Sequence, residues 1–242
     1  MRKATLKQNV GRFNDDVRAK GGYKYTAGAS YSSVVANRRM TEAVAARIPA
    51  AVRTLIDFGC GDGTYTEELA RNYPGAEIVG VDPAQEAVSR ARVLTSSATF
   101  IVADLLDPGT LPQSVFDVGV IRGVIHHLPD GPAGIANAAR LCRTLIIVEP
   151  NGNNPVLKLI EKYSRYHIEH DEQSFTEGEL VAWCRAAGCE NVRVDYIGFV
   201  PFFFPALPAR LLHSLQPLLE SVYPLKKYLS GQIVLTCATP AR

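Results

Sequence analysis

One decapeptide, at residues 55–64, constrains the fold more than any other part of the chain. It reads LIDFGCGDGT, an apolar run that contains an acid and is followed by three glycines at alternate positions. The apolar run predicts a buried strand. The glycines predict a tight turn whose bare backbone lies close to a ligand before a helix begins near Thr64. The segment therefore predicts a nucleotide-type pocket.

The spacing of the glycines separates two kinds of nucleotide. A dinucleotide fingerprint reads G-x-G-x-x-G, whereas here glycines occupy positions 59, 61 and 63, and Thr64 stands where the third glycine would be. Asp57, two residues before the first glycine, would repel a pyrophosphate but attract an ammonium or sulfonium group. The sequence favours a positively charged ligand, and a nicotinamide-dependent oxidoreductase is the alternative from another class of enzyme.

Two further apolar runs also end in an acid. The run at 78–81 is followed by Asp82, which is suited to accept hydrogen bonds from both hydroxyls of a ribose. The run at 100–103 is followed by Asp104, which can accept a hydrogen bond from the exocyclic amine of an adenine. Leu105 then offers an apolar face and a backbone amide. Three predicted strands therefore each end in an acid.

Taken in this order, the motifs at 55–150 resemble those of the class I S-adenosylmethionine-dependent methyltransferases, and the resemblance covers most of the chain from about residue 50. It implies S-adenosylmethionine as the cofactor, with the glycine loop around its methionine moiety, Asp82 on the ribose and Asp104 on the adenine. An ordinary α/β domain with glycine turns is the alternative. The predicted cofactor-binding residues are Asp57, Gly59, Cys60, Gly61, Gly63, Asp82, Pro83, Asp104, Leu105 and Arg122.

Strand-like runs alternate with helix-like stretches from about 53 to 197, which predicts an α/β fold with a doubly wound, Rossmann-like, mostly parallel sheet of seven strands. The resemblance implies that the last strand lies antiparallel between the fifth and sixth. We predict an N-terminal helical cap at 1–50 and a methyltransferase core at 51–242, with inserts at 151–174 and 198–229. Strands are predicted near 54–58, 77–81, 98–102, 116–121, 144–149, 191–197 and 231–238, and helices near 33–47, 64–72, 84–94, 132–141 and 176–187.

Composition excludes several other classes of protein. The 242 residues are 47% hydrophobic, enough for one large domain with a full core. The five cysteines are odd in number and include no C-x-x-C pair, so we expect reduced thiols and a cytoplasmic protein. No signal peptide or long apolar run is evident, so neither export nor a membrane span is expected.

Residues 1–53 hold eleven Lys or Arg against three acids. This basic stretch is interpreted as a solvated face; an anionic substrate, an acidic carrier or a membrane surface is the alternative partner.

A tandem histidine follows the predicted fourth strand. Because ligands gather beyond the carboxyl ends of strands in this fold, His126 and His127 are expected at the cleft. A histidine side chain, with an ordinary pKa near 6.5, suits the removal of a hydroxyl proton during methyl transfer. His126 or His127 is therefore the predicted catalytic base; the alternative is that either ring only orients a loop.

The insert at 198–229 is rich in phenylalanine and leucine, and its apolar surface must be covered. Packing on the core or a homodimer partner, a lid over an apolar acceptor, and peripheral contact with a membrane are the alternatives. Predicted substrate-binding residues are Tyr25, His170, Phe199 and Phe203.

The histidine pair, the asparagine-rich turn at 151–154 and the helical insert also resemble quinone-biosynthesis O-methyltransferases. Arg122 and His126, however, stand where metal-assisted enzymes have acids, so no metal is predicted. The polar run at 167–171 is interpreted as a solvated loop.

We therefore predict a methyltransferase acting on a small, apolar or aromatic acceptor at oxygen. The alternatives are N- or C-methylation without a base, methylation of a lipid or quinone precursor at a membrane surface, and a non-catalytic binding protein. Nucleic acid is not an expected partner, because the motif that holds an exocyclic base amine in DNA methyltransferases is replaced here by residues 122–125, which read RGVI.

Overall fold

A computed structural model of the chain describes residues 30–163 and 173–240, together with Gly11. Its sheet has seven strands in the order β3-β2-β1-β4-β5-β7-β6, and β7 runs antiparallel to the other six. The prediction of a mostly parallel sheet with the last strand between the fifth and sixth is confirmed. The strands are β1 Thr54–Phe58, β2 Glu77–Asp82, β3 Thr99–Val102, β4 Phe116–Arg122, β5 Cys142–Pro150, β6 Glu190–Ile197 and β7 Gln232–Ala238.

Helices cover both faces of the sheet, so its central strands are buried on both sides. In β5, Leu145 and Ile147 pack into one apolar cluster with helices α4 and α6, while Ile146 and Val148 pack into another with α1 and α2. This is the alternation that a central parallel strand requires. The helices are α1 Tyr31–Ala45, α2 Thr64–Asn72, α3 Gln85–Leu94, α4 Gly131–Ala139, α5 Pro155–Tyr163, α6 Glu177–Ala186, α7 Ala206–Ser221 and α8 Tyr223–Leu229.

Polar side chains set the helix starts. The Ser30 hydroxyl accepts a hydrogen bond from the Ser33 amide, so α1 begins at Tyr31, two residues before the predicted start. Thr176 and Glu179 form a reciprocal capping box at the start of α6. The insert at 198–229 forms two helices, and α7 continues through Pro217 to Ser221 before the chain turns at Val222. The division into a cap and a core stays a prediction, since residues 1–29 are outside the described part apart from Gly11.

Two further observations concern the described residues only. Within 30–163 and 173–240, none of the helices has both the length and the apolar character needed to cross a bilayer. The five cysteines in this part of the chain are all buried and unbridged. The thiols are therefore part of the packed interior, as small apolar side chains.

Candidate functional site

A cavity of about 1160 Å³ lies at the carboxyl edge of the parallel strands. Its walls come from the residues that follow β1, β2, β3 and β4, from helices α1, α2 and α5, and from the loop that precedes α7. The sheet topology explains this location, because the crevice beyond the strand ends is the place where the crossover connections diverge. The cavity is larger than most pockets for a single small ligand, which span roughly 300–1000 Å³.

The glycine loop after β1 folds tightly back on β2. The amides of Gly59 and Cys60 both donate to the Val81 carbonyl, at 2.7 and 3.1 Å. Gly59 has φ +74°, and a Cβ atom there would lie 2.4 Å from a methyl of Val124. Only glycine satisfies both conditions. Gly59, Cys60 and Gly61 line the cavity.

Asp57 lies at the bottom of this loop and is 2% exposed. Its Oδ2 accepts a hydrogen bond from the Thr66 hydroxyl at 2.6 Å. Burial raises the pKa of Asp57 from its ordinary 3.8 to about 6, and the Thr66 hydrogen bond and the nearby Arg122 charge act in the opposite direction. Asp57 therefore places a buried negative charge on the cavity wall at neutral pH.

Asp82, at the end of β2, links the glycine loop to the start of the connection between β2 and α3 through hydrogen bonds. Its Oδ2 accepts from the Gly61 amide at 2.9 Å, and its Oδ1 accepts from the Ala84 amide at 2.8 Å. Burial raises the pKa of Asp82 to about 6 despite these two hydrogen bonds. Each carboxylate oxygen has a second lone pair, so Asp82 can still accept from a diol. Pro83 lies beside it on the cavity wall.

Asp104 and Leu105 line the cavity after β3. The Asp104 carboxylate is half-buried and accepts from the Leu106 amide at 2.8 Å, which fixes its turn. The Leu105 side chain is buried, and its carbonyl accepts from the Asn137 side chain at 2.9 Å. An acid beside an apolar surface is the pairing that an aminopurine ring requires.

Gly63 differs from the other predicted loop residues, because it does not belong to the cavity wall. It caps α2 with φ +82°, and a Cβ atom there would lie 2.7 Å from the Ala91 Cβ and 3.1 Å from the Phe100 ring. The third glycine thus allows α2 to approach α3 and β3 closely. Its contribution to the site is indirect, through the position of the helix.

Arg122, at the end of β4, joins the cavity to α1. Its guanidinium donates to the Asn37 side-chain oxygen at 2.9 Å and to the Thr41 hydroxyl at 3.3 Å. The same group lies over the Tyr65 ring, 4.2 Å from the ring centre. The Tyr65 hydroxyl is buried and has no hydrogen-bond partner among the described residues. Arg122 therefore offers a positive charge on the wall that also carries Asp57.

The histidine pair follows β4 in a single 3-10 turn, Ile125–His127, and both rings line the cavity. His126 Nδ1 lies 2.7 Å from Oε2 of Glu149, a fully buried acid near the end of β5. The other oxygen, Oε1, accepts from the amides of Val124 and Ile125, each at 2.8 Å. The two histidine rings are 3.9 Å apart at their centres. Glu149 thus holds both the turn and the His126 ring.

The predicted substrate residues fall into two groups. Phe199 and Phe203 line the cavity, in the loop before α7, where Phe203 remains 64% exposed. Tyr25 and His170 lie outside the described residues, as does the rest of the polar run at 167–171. In the described part of the chain, no group of three His, Cys, Asp or Glu side chains is arranged to hold a metal ion.

Sequence reasoning missed Glu149 and the α1 partners of Arg122. Glu149 had a visible signal, since the fifth apolar run also ends in an acid, as the first three do. Its role depends on a turn more than twenty positions earlier in the chain, which no local pattern reveals. Asn37 and Thr41 stand four residues apart on one side of α1 and gave no signal of their own, because polar residues at that spacing are common on helices.

A protein-family model described as "Methyltransferase domain" matches residues 34–194, more than half of the chain. The chain belongs to the class I S-adenosylmethionine-dependent methyltransferases. An uncharacterized methyltransferase of Mycobacterium tuberculosis is 23% identical to it over 198 residues, which are 81% of this chain and 91% of the relative. The methyltransferase is thus similar to this relative over about four fifths of its own length and nine tenths of the relative's.

Solved structures share the fold. A Thermotoga maritima protein, a SAM-dependent methyltransferase and possible histamine N-methyltransferase, superposes with a TM-score of 0.68 at 15% identity over 95% of this chain and 99% of that chain. Haemonchus contortus phosphoethanolamine N-methyltransferase 2, solved with S-adenosyl-L-methionine, gives 0.62 at 15% identity over 95% of this chain and 60% of that chain. At such identities the likeness concerns the fold and not the acceptor.

S-adenosylmethionine is the cofactor of this methyltransferase, and the residues on the cavity wall fit its chemistry. The glycine loop leaves backbone exposed beside two buried acids, and Arg122 supplies a positive charge at the same wall. Asp57 suits the positively charged part of the cofactor, Asp82 suits its diol, and Asp104 with Leu105 suits its purine. All predicted cofactor residues except Gly63 line the one cavity.

Proposed function

We propose that this methyltransferase acts on oxygen in a small, apolar or aromatic acceptor, with His126 as the general base. The observation that carries the proposal is the 2.7 Å contact between His126 Nδ1 and the buried Glu149 carboxylate, at a point where the imidazole also lines the cavity. A buried acid behind an imidazole is the arrangement that fixes the ring's tautomer and supports the positive charge it gains as a base.

The contact with Glu149 fixes the tautomer of His126. An ionised carboxylate can only accept a hydrogen bond, so Nδ1 of neutral His126 carries the ring proton and the lone pair lies on Nε2. Nε2 is then the atom that receives the acceptor's hydroxyl proton, and Glu149 stabilises the imidazolium that forms. The His127 ring lies beside this ring, with the two ring centres 3.9 Å apart and the ring planes tilted by 44°, and it lines the same wall. We assign the base to His126.

The chain's own residues supply the other requirements of the reaction. Bound S-adenosylmethionine would supply a methyl group on positively charged sulfur, already activated for attack. The wall beyond the glycine loop is formed mainly by apolar side chains, which exclude water and favour an apolar acceptor. They belong to α1, α5 and the loop before α7, and include Val34, Met40, Leu157, Ile160, Phe199, Val200, Phe202, Phe203 and Phe204.

Transfer from a 13C-methyl-labelled cofactor into an extract of small molecules tests the position of methylation. The carbon chemical shift of the transferred methyl distinguishes attachment to oxygen, nitrogen or carbon. We expect O-methyl signals from hydroxyl-bearing acceptors. Signals confined to N-methyl or C-methyl products would contradict the proposal, since such acceptors do not require this base.

Replacement of the histidine tests the base. His126→Ala should lower kcat by about 10² to 10⁴, the usual contribution of a general base, with little change in the affinity for S-adenosylhomocysteine. Added imidazole should restore part of the rate. His213→Ala is a matched control, because His213 is on α7 and bonds the Tyr31 hydroxyl outside the cavity wall. An unchanged rate in His126→Ala would assign the base elsewhere.

A further inference from the structure

We infer that helices α5, α7 and α8 form a face that docks on an anionic lipid surface, and that the acceptor is an amphiphile drawn from that surface into the cavity. This inference rests on the proposed function and narrows its acceptor class. We call the surface formed by these three helices the apolar helix face.

The apolar helix face exposes large apolar side chains that a water-facing surface would not retain. On α7, Leu207 is 82% exposed, Leu211 62% and Leu218 65%. The α7 positions buried against the protein are instead Ala209 and Gln216. This distribution is inverted for a helix of a water-soluble domain, where the apolar stripe faces the core. The other exposed members are Val156, Leu159, Tyr163, Leu215, Val222, Tyr223, Tyr228 and Leu229.

The three helices are joined into one surface. Helix α8 packs against both α7 and α5. The turn before α5 is tied to the end of α8, since the Asn151 side chain donates to the carbonyls of Lys227 and Ser230, and the Asn154 side chain donates to Ser230. Asn151 and Asn154 are buried. These contacts hold the three helices, and the exposed residues on them, in fixed positions relative to one another.

The apolar helix face is continuous with the cavity. Val156 of α5 and Leu229 of α8 are exposed to solvent and also line the cavity. Phe203, in the loop that leads into α7, is likewise both exposed to solvent and part of the cavity wall. An apolar path thus runs from the outer surface to the wall that carries His126. An amphiphile can follow this path without leaving apolar surroundings.

The charges on the face fit an anionic lipid surface. Glu161 pairs with Lys158 at 3.2 Å, and Glu220 pairs with Arg39 of α1. Lys226 and Lys227 pair with Asp195 at 2.6 Å and Glu177 at 2.7 Å, which lie outside the three helices. The remaining charge of α5, α7 and α8, on Lys162 and Arg210, is positive, and cations beside an apolar face are the pattern of interfacial helices. Their charged residues are Lys158, Lys162, Arg210, Lys226 and Lys227 against Glu161 and Glu220.

A lipid surface fits this face better than a second copy of the chain. A protein seated on the face would cover Phe203 and Val156 and close the apolar path to the cavity. A fluid lipid layer covers the same residues and delivers its own molecules through them. The lipid layer would then be both the docking partner and the supply of the acceptor. This explains why Phe203 and Val156 lie both on the exposed face and on the cavity wall.

Flotation of the full chain with vesicles tests the docking. We expect binding to phosphatidylcholine vesicles that contain about 30% phosphatidylglycerol, weaker binding to phosphatidylcholine alone, and release at high salt. Leu211→Glu should lower the bound fraction about tenfold, because it places a charge at the lipid contact. Val93→Glu is the matched control: Val93 is 87% exposed on α3 and does not line the cavity, so its variant should bind as the parent does.

The outcomes separate the alternatives. Absence of vesicle binding, or equal loss in Leu211→Glu and Val93→Glu, would overturn the inference. A dimer of the parent chain that Leu211→Glu converts to a monomer, without vesicle binding, would assign the face to a second copy. Calorimetry with S-adenosylhomocysteine shows whether each variant keeps its folded cofactor site.

The acceptor class is tested with tritiated methyl donor added to a whole-cell extract that is then partitioned between organic solvent and water. We expect the label in the organic phase, with less transferred by Leu211→Glu than by Val93→Glu. Label confined to O-methylated, water-soluble compounds would overturn the inference and leave the proposed function standing. Transfer to nitrogen or carbon alone would remove the proposed function instead, whatever the vesicles show.

Discussion

At the scale of single residues, the site combines acids of different character. Asp57 and Asp82 are buried with pKa values raised to about 6, whereas Glu149 is enclosed by amide donors and the His126 ring. The first two line the cavity, and the third holds the turn that carries the proposed base. The strand-end pattern predicts Asp57, Asp82 and Asp104 at the cavity, but it gives no role to Glu149, because that role depends on the loop that folds over it.

The raised pKa of Asp57 predicts a pH dependence that separates two ligands. Below about pH 6 the carboxyl is neutral, and above it the negative charge attracts the positive sulfonium of S-adenosylmethionine. Its affinity should therefore rise with pH from 5 to 8 by on the order of tenfold more than that of S-adenosylhomocysteine, which lacks this charge. Titration calorimetry across this range measures the ratio.

The variant Asp57→Asn provides the control for this charge effect. It keeps the size of the side chain and removes the charge, so the ratio of the two affinities should become independent of pH. The pKa of Asp82 is also about 6, but its proposed partner is the ribose, which both ligands share, so we expect its effect to cancel in the ratio. A ratio that is flat in the parent, or equally steep in Asp57→Asn, would show that Asp57 does not interact with the sulfonium.

At the scale of elements, the three glycines of the loop have two different structural roles. Gly59 and Gly61 bring backbone to the cavity, and Gly63 brings α2 against α3. The sequence predicted the strand, the turn and the helix start at Thr64, since each has a local signal. It did not separate the role of Gly63 from that of its neighbours, because that role is defined by Ala91 and Phe100, which lie far along the chain.

Gly63→Ala should destabilise the fold. The residue needs φ +82° and has no room for a Cβ atom beside Ala91, so the free energy of unfolding should fall by about 1–3 kcal/mol. Gly178→Ala is the control, since Gly178 is in the first turn of α6 with nothing within 4 Å of its Cβ position. That variant should gain about 0.5 kcal/mol. Urea unfolding of both variants checks the difference, and a Gly63→Ala variant as stable as the parent would contradict it.

At the scale of the whole molecule, the carboxyl edge of one sheet carries the residues proposed to bind the cofactor, the proposed base and the proposed apolar path to the surface. The family resemblance predicted that the last strand lies antiparallel between the fifth and sixth, which periodicity alone does not give. The bounds of most elements agree with the sequence prediction within two residues, because apolar runs and capping residues mark them. The exposed apolar helix face was beyond the sequence: its leucines have the spacing of a core stripe, and only the tertiary arrangement shows which side is covered.

The central claim is that Glu149 acts through His126 in removing the acceptor's proton. The direct measurement is kcat for His126→Ala, Glu149→Gln and the variant that combines them, each checked for unchanged S-adenosylhomocysteine affinity. We predict that Glu149→Gln alone lowers kcat by about tenfold or more, and that the combined variant is no slower than His126→Ala, because Glu149 has no ring left to support. Losses that multiply in the combined variant would contradict the account.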